Sequence, residues 1–460
     1  MKGKLTEVQK QYVLDHLRLH ADWSGELESR IRYNENLSEN EASIHFFLSD
    51  RALNEKHILT IDGLPVLYPD MNHREAFFEL RDGSVIFHHD LLKSAFHLLS
   101  GYEEYRSGVL DTYGRFPYSA SLQNKLQITG RPLVNEYFEI LLDGISRFCT
   151  LHKLDFKRKN KLGGPVFMLS HDIDRVDAYH FWEVTYRFKQ LLGMAPLNYR
   201  YTDTIKAAFK GLFQLLNPCS KTNPFWSFDH LCQSEKALNI KSTYFFLEKQ
   251  GRHINSRYHF HEHRIKTLIR ELSEAGHEIG LHGTIQSACN PEDMVQTLKH
   301  LQEVCPETVK GVRQHYLRFK PVRTAQIQLA SGLQYDASLG FAEHEGFRNS
   351  YCHPFRLYDH EHDCALPLWE IPLNIMEGTL FYYRNLGLEE AMQTIEDIMK
   401  QCKRFGGVFS LLWHNHFFDE REFPGIRSFY KQALELTIDQ GFRGLTGKEI
   451  IRLIKSDDAG

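Results

Sequence analysis

The stretch Pro165-Val-Phe-Met-Leu-Ser-His-Asp-Ile-Asp-Arg175 decides how the rest of the chain is read. Val166 to Leu169 is a short unbroken apolar run, the pattern of a strand buried on both faces. Ser170-His171-Asp172-Ile173-Asp174 follows at once, so a histidine and two carboxylates stand where a strand gives way to loop. Asp172 and Asp174 are two residues apart and on a continuing strand point the same way. Such a pair suits an oxygen-rich metal site or an acid/base pair; solvated charges at a strand end are the plain alternative.

C-terminal to this stretch, β-rich runs alternate with helical ones. The β-rich runs are STYFFL (242–247), HEIGLHG (277–283), GVRQHYL (311–317), YDASLGF (335–341), LWEIPLN (368–374) and VFSLLWHN (408–415). Between them lie helix-like segments such as HRIKTLIRELSEAG, PEDMVQTLKHLQEVC and LEEAMQTIEDIMKQCKRFG. This alternation predicts a parallel sheet with crossover helices. With Val166–Leu169 it supplies about seven strands, enough for an α/β fold built as a closed or nearly closed β/α barrel. An open doubly wound sheet is the alternative. Two amphipathic helices, VTYRFKQLLGMAPLNY and IKAAFKGLFQLLN, form an insertion at about 178–230 that is expected to pack on its own protein.

Residues 1–160 read as a separate N-terminal α/β domain. An early helix (Leu5 to His20) is expected there, with short strands near HILTIDG and PVLYP. Helices are expected at DLLKSAFHLLSGYEEY and VNEYFEILLDGISRFC. His88-His89-Asp90 looks metal-like, but adjacent histidines diverge, and Asp90 is better read as a helix N-cap. FKRKNKLGG (156–164) reads as a hinge. The barrel region spans 161–456.

The formal net charge is -4, from 55 basic and 59 acidic residues, which offers no argument for a nucleic-acid or anionic-membrane partner. Eight scattered cysteines, Cys219 among them, make no C-x-x-C pair and fit a reducing compartment. The N-terminus lacks the apolar core of a secretory signal, and no window approaches a membrane span, so a cytoplasmic protein is expected.

Active sites of such folds sit at the carboxyl ends of the strands. Read in turn, those ends offer His171, Asp172 and Asp174; His282; Arg313, Gln314, His315 and Tyr316; Asp336, then Glu343 and His344; Glu370; and Trp413-His414-Asn415-His416. HFHEH (259–263) has three alternate histidines but precedes a helix away from the strand ends, so an exposed polar run is expected. His344 and Glu345 are placed on a loop, either touching substrate or at the surface.

The order of these motifs resembles that of the polysaccharide deacetylase (NodB-homology) family over roughly residues 165–455. The whole chain looks like large bacterial members with an extra N-terminal domain. The matching motifs are SHDID, AGHEIGLHG, GVRQHYLRF, YDASLGF and LLWHN. The resemblance implies a metal-dependent hydrolase that removes acetyl groups from an acetylated sugar or polysaccharide, with a divalent metal, most often zinc. It assigns metal binding to Asp174 and His282, and the general base to Asp172 held by Arg313. His414 would be the general acid with Asp336 behind it, and the backbone N–H of Tyr316 would face the oxyanion. This chain departs from the pattern in three places. Ile173 splits the aspartate pair, leaving open which carboxylate binds metal. Gln286, a poor zinc ligand, stands where a second histidine is usual. His315 replaces a usual proline and offers either the missing ligand or a substrate contact. Two other readings are a non-catalytic carbohydrate-binding relative and a hydrolase of a small C–N amide.

Overall fold

A computed structural model of the chain describes residues 3–33, 41–73, 75–195, 201–216, 223–249 and 255–456. It is a mixed α/β fold. Its main sheet comprises β1 (Val166–Ile173), β2 (Thr243–Phe246), β3 (Glu278–Gly283), β4 (Gly311–Gln314), β5 (Tyr335–Asp336), β6 (Phe355–Asp359), β7 (Cys364–Glu370), β8 (Ile375–Met376), β9 (Val408–Leu412) and β10 (Arg443–Gly444). The strand order is β6-β7-β5-β4-β3-β2-β1-β9-β8, with β10 beside β1. Every pairing is parallel except β6 with β7.

The sheet curls into a half-barrel rather than lying as an open doubly wound sheet. Strands β7 and β8 are consecutive parts of one extended run that bridges the two ends of the curl. Ile371 N donates to Asp336 O on β5 (2.9 Å), while Asn374 N donates to Ser410 Oγ on β9 (3.0 Å). Each of the seven β-rich runs contains a strand. The excess over seven comes from the antiparallel β6, the two-residue β8 that starts just after LWEIPLN, and the short β10. β1 also runs beyond the expected Leu169 to Ile173, all eight residues buried. Parallel strands covered by helices on the outer face bury both sides, which is why polar Ser170, His171 and Asp172 must each find partners.

The N-terminal region carries its own four-stranded sheet, ordered Ile31–Tyr33, Ile44–Phe46, Ser84–Phe87, Phe78–Arg81. Leu133–His152 and Leu91–Leu99 are its main helices; Asp90 caps the latter, its carboxylate accepting from Lys93 N (2.8 Å). Leu59–Ile61 and Leu64–Val66 form a small hairpin at the two expected strand sites. The hinge expected at 156–164 is not one. Phe156–Arg158 is a strand paired with Ala21–Trp23, and Asn160 Nδ2 donates to Gly406 O (2.9 Å). A single apolar core joins the N-terminal side chains to Phe319, Leu339, Tyr351, Phe355, Tyr358 and Leu368 of the sheet region.

That union also buries the loop GFAEHEGFRN. Phe347 N donates to Thr129 O (2.7 Å), and a Cβ on Gly346, at φ +119°, would lie 2.2 Å from the same oxygen. Only glycine lets the N-terminal backbone pass this closely. Glu345 is buried beside Arg384 (2.5 Å), so this is not a surface loop.

The insertion is a hairpin of two helices, Phe181–Leu191 and Tyr201–Leu216, while Phe228–Ala237 already packs into the main core through Phe228 and Leu231. Residues 196–200 and 217–222 of the insertion, with Cys219, lie outside the described residues. The seven described cysteines are free thiols. Among the described residues no helix is long and apolar enough to cross a membrane.

Candidate metal centre and active site

Strand alternation sorts the first motif. Ser170 and Asp172 point into the curl of the sheet toward Arg313, whereas His171 points outward and is held between Trp413 O (2.8 Å) and Glu235 (2.9 Å). His171 therefore belongs to a buried polar network beneath the helices and not to the site. Asp174, one residue past the strand, shares the side of Asp172: His282 Nε2 lies 3.6 Å from Asp172 Oδ2 and 3.3 Å from Asp174 Oδ1.

His282 comes from the end of β3, where it is directly opposite Arg313 of β4. Its Nδ1–H donates to Arg313 O (2.8 Å), which fixes the ring and turns Nε2 toward the site. His315, just beyond β4, places Nδ1 3.2 Å from His282 Nε2 and 3.7 Å from Asp174 Oδ1. These three side chains are the one set of candidate cation ligands found among the described residues. A tetrahedral ion with ligands about 2.0–2.1 Å away keeps its donor atoms about 3.3 Å apart. Two of the observed separations, 3.2 and 3.3 Å, match that edge length, and the third, 3.7 Å, is somewhat longer. Asp174 Oδ1 is moreover buried without a normal hydrogen-bond partner, an arrangement that a cation would satisfy. The residues fit a divalent metal.

Gln286 plays no part in this cluster. Its Oε1 accepts from Asn255 Nδ2 (2.9 Å), in a loop-to-loop bond beside the Asn255 Oδ1 contact to Ile285 N. His315 offers the third donor of the candidate set instead.

Arg313 is fully buried and holds Asp172 from the side away from the triad. Its Nη1 donates to Asp172 Oδ1 (3.0 Å) and Ser170 Oγ (2.9 Å), its Nε donates to Ala337 O (2.8 Å), and its plane covers the Phe245 ring. Across the opening, His414 Nε2 lies 3.6 Å from Asp174 Oδ2.

The expected carboxylate behind His414 is not Asp336. Glu377, just past β8, accepts from His414 Nδ1–H at 2.5 Å and from the His414 backbone N–H at 3.2 Å. Burial opposes a charged imidazole, but Glu377, then Asp174 and Asp172, outweigh it and push His414 up to about 10. Asp336 points elsewhere because β5 ends there. Its carboxylate accepts from Gln328 Nε2 (2.5 Å), Ser338 N (2.7 Å) and Ser338 Oγ (2.9 Å). It thereby fixes the turn whose Ala337 carbonyl steadies Arg313. Glu370 sits against Asp336, and burial raises both carboxyls above their ordinary range.

Asp174 shows the opposite balance. Burial would raise it, yet His315, His282 and His414 hold it well below the usual carboxylate range. Tyr316 adopts left-handed backbone (φ 59°, ψ 16°), and its ring packs on His315 at 4.2 Å. HFHEH is exposed at His259, His261 and His263, away from this cluster, as expected.

Glu377 was missed by sequence reading. It belongs to no strand-end motif; a carboxylate beyond the second half of a split strand leaves no periodic signal. The N-terminal contribution was missed as well. Tyr113 stacks on Tyr316 (4.5 Å, 17° between planes), and Arg115 Nη1 donates to Tyr316 O (3.1 Å). Tyr118 lies 4.4 Å from the His344 ring.

Residues 7–149 match the model of a family of unknown function, DUF7033. No curated protein matches the chain. Among solved structures, the chain is similar to a putative polysaccharide deacetylase from Mycobacterium smegmatis, at 16% identity over 64% of this chain and 92% of that one, with a TM-score of 0.41. A probable polysaccharide deacetylase from Pseudomonas aeruginosa PAO1 is 12% identical over 64% and 91%, with a TM-score of 0.43. An allantoinase is 13% identical over 64% and 91%, also with a TM-score of 0.43.

Proposed function

We propose that the chain is a metal-dependent hydrolase that removes acetyl groups from an acetylated sugar or polysaccharide. The observation that carries this reading is one opening shared by three devices. These are the Asp174–His282–His315 triad, Asp172 clamped by Arg313, and His414 backed by Glu377. Together with the motif order SHDID, AGHEIGLHG, GVRQHYLRF and LLWHN, this is the donor set for hydrolysis of an acyl bond.

Asp174, His282 and His315 would hold the ion, of which zinc is the best match to two imidazoles and one carboxylate. When bound, a divalent metal supplies Lewis acidity toward an acyl oxygen and acidifies water. Asp172 is the general base: Arg313 keeps it aimed, and it takes a proton from the attacking water. His414 enters the reaction protonated, its charge maintained by Glu377, and gives a proton to the departing amine or alkoxide. The backbone N–H of Tyr316 is proposed as an oxyanion donor, its left-handed conformation setting the direction of the peptide. Residues 1–160 are proposed as a unit that shapes the mouth, through Tyr113 and Tyr118.

Gln286 was the reason for considering a non-catalytic carbohydrate-binding relative. His315, 3.2 Å from His282 and 3.7 Å from Asp174, supports the catalytic reading over it.

The test is metal analysis of the purified chain combined with acetate release from N-acetylated and O-acetylated oligosaccharides, alongside turnover of small cyclic amides. Acetate release that is lost by about 10²–10⁴-fold in Asp172→Asn and His414→Ala is expected. Turnover of the amides alone would move the reading to C–N hydrolysis. Wild-type protein that binds no divalent metal and releases no acetate would sink it.

A further inference from the structure

The insertion hairpin presents its apolar face to solvent. On the helix Tyr201–Leu216 the buried positions are Thr204, Ala208, Gly211 and Gln214, a narrow stripe of small or polar side chains. That stripe packs on the helix Phe181–Leu191 so closely that a Cβ on Gly211 would lie 2.6 Å from Val184 Cγ2. The large apolar side chains follow helical spacing on the other side. Phe209, Phe213 and Leu216 are 60%, 63% and 79% exposed, with Leu212 and Tyr201 beside them. A soluble helix ordinarily turns this stripe inward. The first helix adds exposed Phe181, Trp182 and Tyr186, and the chain after it adds Leu192 and Met194. An apolar surface of this extent marks an interaction site.

The charges at its edge identify the partner. Lys206 and Lys210 lie on the flank of Tyr201–Leu216 next to the apolar stripe, and Lys189 is exposed on the first helix. On the two described helices the exposed basic side chains are these three lysines; Arg187 is buried beside Glu422 (3.7 Å), and the acidic residues are Glu183 and Asp203, both half-buried. An apolar face with aromatic side chains and a basic rim is the pattern of a helix lying in a bilayer interface. Anionic headgroups then add attraction for each nearby lysine. A second copy docking through the same face would set these lysines against one another, which disfavours self-association.

We propose that the Phe181–Leu216 hairpin seats the protein on an anionic phospholipid surface, its apolar stripe in the acyl boundary and its lysines at the headgroups. Phe181 starts seven residues after Asp174. A cleft of about 590 Å³ joins Arg175 and His416, beside the site, to Trp182, Tyr186 and Lys189 of the hairpin. This inference does not rest on the hydrolase reading, since its test reads lipid binding and not turnover.

The test is flotation of the full chain with vesicles of phosphatidylcholine alone and of phosphatidylcholine with 30 mol% phosphatidylglycerol (about one anionic lipid in three), at low and high salt. The protein is expected to float with the anionic vesicles and to be released by salt. Binding should fall at least about tenfold in Phe209→Ser/Phe213→Ser and more mildly in Lys206→Glu/Lys210→Glu. These positions are exposed, so an unchanged melting curve shows that the variants fold; the salt dependence of the wild-type protein is a measure free of any variant. Three results would overturn the proposal. They are no flotation, equal flotation with neutral vesicles, or a dimer in sedimentation that dissociates in Phe209→Ser/Phe213→Ser while no vesicles are bound.

Discussion

At the scale of single residues, the two proton-transfer candidates are each held by a partner of opposite charge. Arg313 donates to Asp172, and Glu377 accepts from His414 and raises its pKa. Replacing Glu377 by Gln removes the negative charge that raises His414, so the imidazolium loses its proton at lower pH. The alkaline limb of the kcat/KM profile is therefore expected to move down in pH, with kcat reduced and metal content unchanged; a pH–rate series on E377Q measures both. His315→Ala removes one ligand of three and is expected to weaken metal binding by at least about 10–100-fold, read by competition with a chelator. Gln286→His, by contrast, is expected to leave metal affinity near wild type, because position 286 is engaged with Asn255 and not with the triad. Asp172, Asp174, His282, Arg313 and His414 were legible as strand-end residues because strand alternation and the carboxyl-end rule are local properties. Glu377 was not, and Asp336 was given its place, because which carboxylate meets His414 depends on where a split strand crosses the curl.

At the scale of elements, the N-terminal helix Glu7–Leu17 is locked to β6 through a buried histidine. His16 Nδ1–H donates to Tyr12 O (2.6 Å), and its Nε2 accepts from Arg356 N–H (3.0 Å), so the neutral ring is the form that fits. Burial lowers His16 to about 4, with Arg356 acting the same way and the Tyr12 carbonyl opposing. The folded pKa is thus below the unfolded value of about 6.5. The contribution to stability is fully present above about pH 6.5 and is lost as pH falls toward 4, because only the unfolded chain then takes up the proton. The loss is about 3 kcal/mol for this group. His353, lowered to about 4, and His20, also lowered, act in the same direction at the same junction. Urea unfolding at pH 7 and pH 4.5 is expected to show this loss, and His16→Gln should make the difference smaller. The helix itself was visible in the sequence; its docking face was not, since His16 could equally have been a solvated residue near a helix end. The hairpin insertion carries the same lesson. Periodicity identified two amphipathic helices, but only packing showed that the small side of the second one faces inward.

At the scale of the whole molecule, the N-terminal region and the curled sheet share one apolar core, and Tyr113 stacks on Tyr316. Heating the full chain is therefore expected to give a single cooperative transition by calorimetry, and residues 161–456 alone should fail to fold; two separate transitions would contradict the shared core. Tyr113→Ala leaves the triad intact and is expected to lower kcat/KM on oligosaccharides by about 10-fold with unchanged metal content, as aromatic packing at the mouth is removed. The sequence by itself determined the parallel strand-helix order, the seven β-rich runs and the inward residues at their ends. Those depend on hydrophobic period and strand alternation, which each segment carries alone. Only the tertiary structure decided that Phe156–Arg158 pairs with Ala21–Trp23, that His315 lies within reach of Asp174 and His282, and that Glu377 stands behind His414. It also decided that Tyr113 and Arg115, within a region matched to a family of unknown function, pack on Tyr316. The physical reason is the same in each case: these are pairings between side chains far apart in the chain, and the curl of the sheet is what brings them within a few ångströms.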